Sequence, residues 1–510
     1  MASSDLAPRR LSDAFVGSDS TVSEAGCDHA VAPSLKAEAP TTRRLALIRS
    51  GLWVCMGRFA AIGIVFLTRA FLARLLDTDD FGRFMLLANF TTLAAMMSMG
   101  GLNRSLVRFI SGAVGVNDRR LAAAHLRTVL RAAACLLSSG SLITFVVCWT
   151  LVPYLMPHTS TPTLLAVLVA ATVALSAAHQ LIAEVLRSLH DLRLATLLAG
   201  PTGGPLASLT FLVVLGCSSV WFHPLLTTTV ALNLAALGLS LPVALWCLLH
   251  VVRRQLPLAL DRHVGSSTAD AGNSVATFLL LSLPIMITEF FWLASSQTDL
   301  WVAGAWAGAD DLALYSIARQ FVLLASLPTN LANLTITATI PRLHAQGATA
   351  DLERLVRGSA TLAGVPTLLG IGAVAIVAGP LAALLFGTFY AGSATLIIIL
   401  LLGQVVVACS GPCTLALVVT GNERVALWSA AVGIAIQALL GPTAVRRCGI
   451  EGLAVLSAAV CAAQHIFNCV EARRRIGVTT AFSPRTALQF LRRSIALSTG
   501  LGSSPQESLR

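Results

Sequence analysis

The stretch Thr68–Phe90 reads TRAFLARLLDTDDFGRFMLLANF, in which two apolar segments flank a short acidic turn. A related stretch, DLWVAGAWAGADDLALYSIARQF, occupies Asp299–Phe321. The paired aspartates of the two stretches are 231 positions apart (310 − 79), and Asn89 aligns with Gln320 at the same offset. This regular spacing predicts that the chain contains two copies of one structural unit.

The composition indicates a helical membrane protein. Of the 510 residues, 56% are hydrophobic and only 12% are charged, whereas a soluble protein carries about 25% charge. Most apolar segments reach the length of about 20 residues that a transmembrane helix requires. We therefore predict an all-α polytopic membrane protein with about 12 transmembrane helices. The predicted spans are 51–74, 82–103, 128–152, 163–186, 194–216, 224–250, 276–304, 312–335, 358–380, 393–420, 425–445 and 450–470.

The distribution of arginines predicts the orientation in the membrane. Arginines are concentrated in the segments after the even-numbered spans, whereas the outer turns carry the paired aspartates. Arg446-Arg447 is the exception on the outer side. This bias predicts a multi-pass protein of the cell inner (cytoplasmic) membrane with both termini in the cytoplasm. An even number of spans in each half makes the halves parallel repeats.

The repeat and the polar segments predict five regions of the chain. Two six-helix lobes are expected to face each other across a central cavity, the architecture of alternating access. The segment GPTGGP (200–205) is expected to break or kink the fifth span. The regions are a disordered cytoplasmic tail (1–45), an N-lobe (46–252), a cytoplasmic linker (253–272), a C-lobe (273–475) and a second cytoplasmic tail (476–510).

Ionisable residues inside the predicted spans are candidates for function, because a charge in hydrocarbon is costly. Arg58 and Arg69 share one face of the first span, about 16 Å apart along its axis. Arg319 lies in the eighth span. Glu289, in the seventh span, is equivalent to Arg58 in the repeat (289 − 58 = 231), and Asp299 lies nearer the outer end.

Each charge also has a structural interpretation. Arg69 is close enough to the outer end to extend to the headgroups, and Asp299 is close to the interface. Glu289 is alternatively a structural partner of an arginine. The amides add hydrogen-bonding capacity to the same spans. We assign substrate binding to Arg58, Arg69, Arg319, Gln320 and Asn89, and coupling or gating to Glu289 and Asp299.

Several motifs follow one another in an order that is informative. They are AFLARLLDTDDFGRF (70–84), GLNRSLVRFIS (101–111), TDLWVAGAWAGADDLALYSIARQF (298–321), LLFGTFYAGSATLIIILLLGQ (384–404), TGNER (420–424) and GIEGLA (449–454). Together they resemble the multidrug/oligosaccharide-lipid/polysaccharide exporter superfamily, and within it the bacterial polysaccharide-biosynthesis flippases. The resemblance implies that the chain moves a polyprenyl-pyrophosphate-linked oligosaccharide to the outer leaflet for cell-surface polysaccharide synthesis.

The intramembrane arginines agree with that cargo, since a guanidinium matches the geometry of phosphate oxygens. The expected partners are the lipid-linked oligosaccharide, the bilayer, and a polysaccharide polymerase or glycosyltransferases, with no nucleic acid. No cofactor is expected, and coupling to a proton or a sodium ion stays open.

Two other functions are open on the sequence. An ion-coupled multidrug antiporter of the same fold is the first, although three arginines suit cationic drugs poorly. The second is a membrane polysaccharide polymerase or ligase. The predicted outer loops are short, and the sequence shows no catalytic constellation, so we predict that the protein is not an enzyme.

Overall fold

The structure is a computed structural model, and contacts divide the chain into two units, residues 1–48 and 49–510. All contacts given below lie within the second unit. The predicted linker from residue 257 onward, and both predicted tails except 40–45 and 476–483, lie outside the described residues. The described residues are 40–483 without 104, 107–109, 112–117, 156–160, 190, 201–202, 222–224, 257–274 and 338.

In its described residues, the first half of the chain consists of helices joined by short turns. Its acidic turn begins a helix with Asp79 and Asp80 in the first turn, where the positive end of the helix dipole stabilises carboxylates. The helices are α1 (Pro40–Leu75), α2 (Thr78–Ser98), α3 (Arg119–Leu155), α4 (Pro162–Ser188), α5 (Leu192–Leu198), α6 (Gly204–Ser219) and α7 (Leu226–Gln255).

The second half repeats this design, again with two aspartates in the first turn of the helix that follows the acidic turn. Its helices are α8 (Val275–Ser295), α9 (Thr298–Trp306), α10 (Ala309–Ala325), α11 (Leu327–Ile336), α12 (Thr339–Ala345), α13 (Thr349–Phe386), a 3₁₀ turn (Thr388–Ser393), α14 (Ala394–Ser410), α15 (Cys413–Val419) and α16 (Glu423–Ile476). No strand occurs among the described residues, which confirms the all-α prediction.

Six helices among the described residues are long and apolar enough to cross a membrane, namely α3, α4, α7, α13, α14 with its 3₁₀ turn, and α16. Helices α10 and α11, bent by 45° at their junction, make a seventh. This criterion alone recognises fewer spans than the twelve predicted. Helix α16 has 54 residues but breaks at Gly449, whose φ is 65°, between the eleventh and twelfth predicted spans.

The fifth predicted span breaks at its glycines, as expected. Helix α5 ends at Leu198 and α6 begins at Gly204. Gly203 and Gly204 both have positive φ, and a Cβ on Gly204 would lie 2.5 Å from the carbonyl carbon of Leu198. Only glycine fits this crowded, left-handed turn.

The seventh predicted span is not one continuous helix, contrary to the sequence interpretation. Helix α8 ends at Ser295 and α9 begins at Thr298. The hydroxyls of Ser296 and Thr298 donate to carbonyls of the preceding turn, each at 2.7 Å. Such side-chain bonds compete with the helical N–H groups and favour a break. The break leaves backbone carbonyls without a helical N–H donor, and that of Ser296 lies within reach of Arg319.

The tenth predicted span breaks as well, and the chain after α16 covers the break. Gly411 has a φ of 67°, and a Cβ there would lie 2.3 Å from the carbonyl oxygen of Thr480. The Thr480 hydroxyl donates to the carbonyl of Ser410 at 2.9 Å, and the Phe482 N–H donates to that of Cys409 at 2.8 Å. The predicted tail 476–510 therefore begins as packed chain, because the broken helix leaves carbonyls that need donors.

The two copies of the acidic turn pack against each other through α2 and α10. The Thr78 hydroxyl donates to the carboxylate of Asp310. Gly82 allows the close approach, since a Cβ there would lie 3.0 Å from the carbonyl oxygen of Ala309. The halves also meet at the opposite end of α2, where the hydroxyls of Ser105 and Ser282 are 2.7 Å apart. The sequence repeat thus brings its two acidic turns into one interface.

Candidate substrate site

A buried ion pair lies beside the break between α8 and α9. The guanidinium of Arg319, on α10, donates to the carboxylate of Asp299, in the first turn of α9. Its other amino group donates to the backbone carbonyl of Ser296, which the break frees. The side chains of Arg319 and Asp299 are 17% and 11% exposed, so both groups are almost entirely removed from solvent. Helix α10 and the broken helix thereby hold the guanidinium in one orientation.

The Asp299 carboxylate has further donors. The Tyr315 hydroxyl donates to it at 2.7 Å, and the N–H of Leu300 donates at 2.9 Å. The Tyr315 hydroxyl also lies 3.2 Å from the hydroxyl of Ser457, on α16. Three hydrogen-bond donors therefore converge on this carboxylate. The Asp299 carboxylate thus bonds α9 to α10, and the Tyr315 hydroxyl joins α10 to α16.

A second arginine crosses from the first half to the second. Arg69 of α1 donates to the side-chain carbonyl of Gln320, the residue after Arg319 on α10. Arg69 is half-buried and lies about 9 Å below the end of α1 at Leu75. No ion pair of Arg69 occurs among the described residues. Gln320, the acceptor of Arg69, is therefore the neighbour of Arg319 on α10, and the two arginines come from different halves of the chain.

An aromatic cluster lies at the acidic-turn end, where the halves meet. It consists of Phe66, Phe81, Phe321, Phe386 and Tyr390. The ring of Phe66, from α1, is 5.8 Å from that of Phe321 and 5.3 Å from that of Phe386, in edge-to-face geometry. These contacts join α1 to α10 and α13 next to Arg69. They pack the two halves against each other at this end.

Arg74 reinforces the same contact between the halves. From the last turn of α1 it donates to the carbonyls of Leu384 and Leu385, the latter at 3.0 Å. These carbonyls belong to the last turn of α13, where the negative end of the helix dipole attracts a cation. The bond links the two halves directly.

The other predicted site residues are placed as follows. Asn89 is half-buried on α2 and donates to the carbonyl of Met85 in its own helix at 2.7 Å, so its role in substrate binding stays a prediction. Glu289 is half-buried on α8. The side chain of Arg58 lies outside the described residues, so its opposition to Glu289 stays a prediction. The structure thus brings together Arg69, Gln320, Arg319 and Asp299 on α10 and its neighbours.

Sequence reasoning missed three parts of this arrangement. Arg74 is not among the predicted site residues, although its place in the last turn of a helix is a signal for capping. Tyr315 is not among them either. The sequence does not indicate that the backbone carbonyl of Ser296 accepts a hydrogen bond from Arg319. The only sign of a break there is a pair of serines inside an apolar span. Arg446, the exception to the orientation rule, stacks over the ring of Trp306 at 4.4 Å.

Comparison with known proteins assigns the chain to a family. The model of the polysaccharide biosynthesis protein family matches residues 47–345. The chain belongs to this family. The match includes α1, α2 and α10, and therefore Arg69, Asp299, Arg319 and Gln320. No curated protein matches the sequence of this family member.

Solved structures with a similar fold include transporters of the MOP superfamily and a lipid flippase. An inward-facing multidrug resistance MATE family transporter has a TM-score of 0.65 and 14% identity, over 83% of this chain and 98% of that chain. The lipid II flippase MurJ, in an inward closed conformation, has a TM-score of 0.60 and 11% identity, over 89% and 94%. A transporter from Pyrococcus furiosus, noted for the reverse polarity of its binding pocket, has a TM-score of 0.56 and 14% identity, over 85% and 95%.

At these identities the likeness concerns the fold. This polysaccharide biosynthesis protein therefore shares the fold of the MATE family transporter and of the lipid II flippase.

Proposed function

We propose that the protein flips a polyprenyl-pyrophosphate-linked oligosaccharide from the cytoplasmic to the outer leaflet of the cytoplasmic membrane by alternating access. In this proposal the two halves act as six-helix lobes, 46–252 and 273–475, joined by the linker 253–272. The chain then has twelve spans and both termini in the cytoplasm. The family match and the flippase among the solved structures support the proposal.

Two arginines carry this proposal, namely Arg319 and Arg69, which donates to the neighbouring residue Gln320. An arginine without a counter-ion inside a membrane costs up to about 3 kcal/mol on insertion scales. The Gln320 side chain that Arg69 contacts carries no charge, so an anion would stabilise this guanidinium further. A pyrophosphate supplies several anionic oxygens within one ligand, and each guanidinium matches two of them with its parallel N–H groups. Because Arg69 and Arg319 come from different halves, an anion held by both responds to the relative movement of the halves.

In this proposal, Asp299 acts as the internal counter-ion of Arg319. It neutralises Arg319 while the site is empty, and the arriving pyrophosphate competes with it for the guanidinium. Binding of a proton or a sodium ion to the displaced carboxylate would keep it from returning, which links cargo binding to an ion gradient. The carboxylate therefore couples the two binding events without contacting the cargo.

The proposal is tested with purified protein in vesicles that contain a fluorescent polyprenyl-pyrophosphate oligosaccharide, whose transfer between leaflets is followed by quenching. Arg319→Ala should nearly abolish flipping. Arg319→Lys should flip poorly, because it keeps the charge but loses the planar fork. Arg354→Ala is the matched control, since Arg354 is 79% exposed on α13. Normal flipping by a well-expressed Arg319→Ala protein would refute the assignment.

The buried carboxylate of Asp299 also fits an ion-coupled multidrug antiporter, the second candidate function. Such a transporter would accumulate a cationic dye in the same vesicles when an ion gradient is imposed. We expect no accumulation, because two guanidinium groups repel a cationic drug. Dye accumulation without lipid flipping would favour the antiporter.

A further inference from the structure

The side chain of Gln464 bridges three segments of the second half of the chain. Its amide nitrogen donates to the hydroxyl of Ser295, the last residue of α8, at 3.3 Å. The same nitrogen donates to the backbone carbonyl of Ser429 at 3.0 Å. An amide NH₂ group has two hydrogens, so both bonds form at once. Since α16 breaks at Gly449, between Ser429 and Gln464, the amide joins both parts of α16 to α8.

The surroundings of this amide leave space for it and for little else. Gly433 lies one turn after Ser429 on α16, and a Cβ there would lie 1.7 Å from the amide nitrogen of Gln464. Glycine is an unfavourable residue inside a helix. Here its lack of a side chain provides the space that the amide occupies, so a methyl group at Gly433 would displace Gln464 from both of its acceptors.

The amide contacts the segment that orients Arg319. Ser295 directly precedes Ser296, whose backbone carbonyl accepts a hydrogen bond from one amino group of Arg319. The segment lies at the break between α8 and α9, where a chain lacks part of its helical hydrogen bonds. Gln464 supplies a bond from a third helix at this point. The other amino group of Arg319 donates to Asp299, the carboxylate that pyrophosphate displaces in the proposed function.

The same face of α16 supports the other partner of Arg319. Ser457 lies seven residues before Gln464, which places the two residues on one face, two turns apart. The hydroxyl of Ser457 is 3.2 Å from that of Tyr315, which donates to the carboxylate of Asp299 at 2.7 Å. Both acceptors of Arg319 are thus supported from α16, the carboxylate through Tyr315 and the carbonyl through Gln464.

We propose that Gln464 is a positioning residue of the anion site. Through Ser295 it keeps the carbonyl of Ser296 bonded to one amino group of Arg319. A guanidinium is planar, so a bond that fixes one amino group also fixes the direction of the other, which is the group that meets the pyrophosphate. The inference rests on the proposed function. Gln464 differs from Asp299, because it does not compete with the ligand and its bonds persist when the ligand is bound.

Binding of inorganic pyrophosphate to the purified full-length protein in nanodiscs tests the inference. Gln464→Ala should weaken binding about fivefold, or about 1 kcal/mol, the usual net contribution of one hydrogen bond. In an Arg319→Lys background the same change should weaken binding by less than about twofold, because a lysine has no planar fork to orient. The matched control is Gln404→Ala, since Gln404 is a half-buried glutamine of α14 that makes none of these contacts.

Gly433→Ala tests the same amide without changing it. The added methyl group should displace Gln464 and weaken pyrophosphate binding to the same extent as Gln464→Ala. Combined with Gln464→Ala it should cause no further loss, because the shorter side chain leaves room for the methyl group. Gly370→Ala is the matched control, since Gly370 is inside α13 and an added Cβ there has nothing within 4 Å.

The outcomes separate this inference from the proposed function. Unchanged affinity in folded Gln464→Ala or Gly433→Ala protein would overturn the inference and leave the flippase proposal intact. Equal losses in the Arg319 and Lys backgrounds would also overturn it, because packing alone would act in both. If Gln464→Ala does not fold, Gly433→Ala is compared in the same two backgrounds. Failure of the unaltered protein to bind pyrophosphate would overturn the inference together with the proposed arginine site.

Discussion

Replacing Asp299 by asparagine should destabilise the protein and at the same time strengthen its binding of pyrophosphate. The substitution keeps the shape of the side chain but leaves the guanidinium of Arg319 without its counter-ion. Breaking a buried ion pair by removing one partner costs about 3–5 kcal/mol. Because the two side chains are 17% and 11% exposed, we expect the lower limit, about 3 kcal/mol.

The double variant Asp299→Asn with Arg319→Gln separates desolvation from lost contacts. It removes both charges, so no uncompensated ion stays in the interior. Its loss of stability should therefore be smaller than the sum of the two single losses, with a coupling energy of about 2 kcal/mol. Unfolding in mixed detergent micelles measures these free energies.

The same variants give opposite results in binding. Asp299→Asn removes the group that competes with the ligand, and we expect the affinity for inorganic pyrophosphate to rise about tenfold, or 1.4 kcal/mol. Arg319→Gln should lower it. The control is Asp351→Asn, whose ion pair with Arg354 is mostly exposed and should matter by less than about 1 kcal/mol. Additive stability losses together with an unchanged pyrophosphate affinity would refute the counter-ion role.

Three further predictions concern movement and orientation. A disulfide formed in the double variant Thr78→Cys with Asp310→Cys should block flipping until it is reduced, because we expect α2 and α10 to separate at this end during transport. Flipping by the oxidised protein would contradict this expectation. Arg58→Ala combined with Glu289→Ala should retain more flipping than either single variant, and strictly additive losses would exclude a charge-paired gate. Cysteine-accessibility mapping should place position 310 outside and Arg357 inside; the reverse would disprove the orientation.

Much of the architecture follows from local properties of the chain. Apolar length and low charge predict transmembrane helices, because these signals depend on residues close together in sequence. The repeated acidic turn predicts two related halves, because similar sequences fold into similar local structures wherever they lie in the chain. The same holds for the break at GPTGGP, since the backbone freedom of glycine and the fixed φ of proline act at the residue itself. Arg69, Arg319, Asp299 and Gln320 were recognisable as candidates because polar groups are rare within apolar spans.

Tertiary packing alone decided which of these groups meet. The sequence contains three intramembrane arginines, but electrostatic and hydrogen-bond energies depend on distance and direction, which sequence spacing along separate helices does not define. The pairing of Arg319 with Asp299 needs α9 to begin where α8 stops, and the bond of Arg69 to Gln320 needs α1 of one half to lie against α10 of the other.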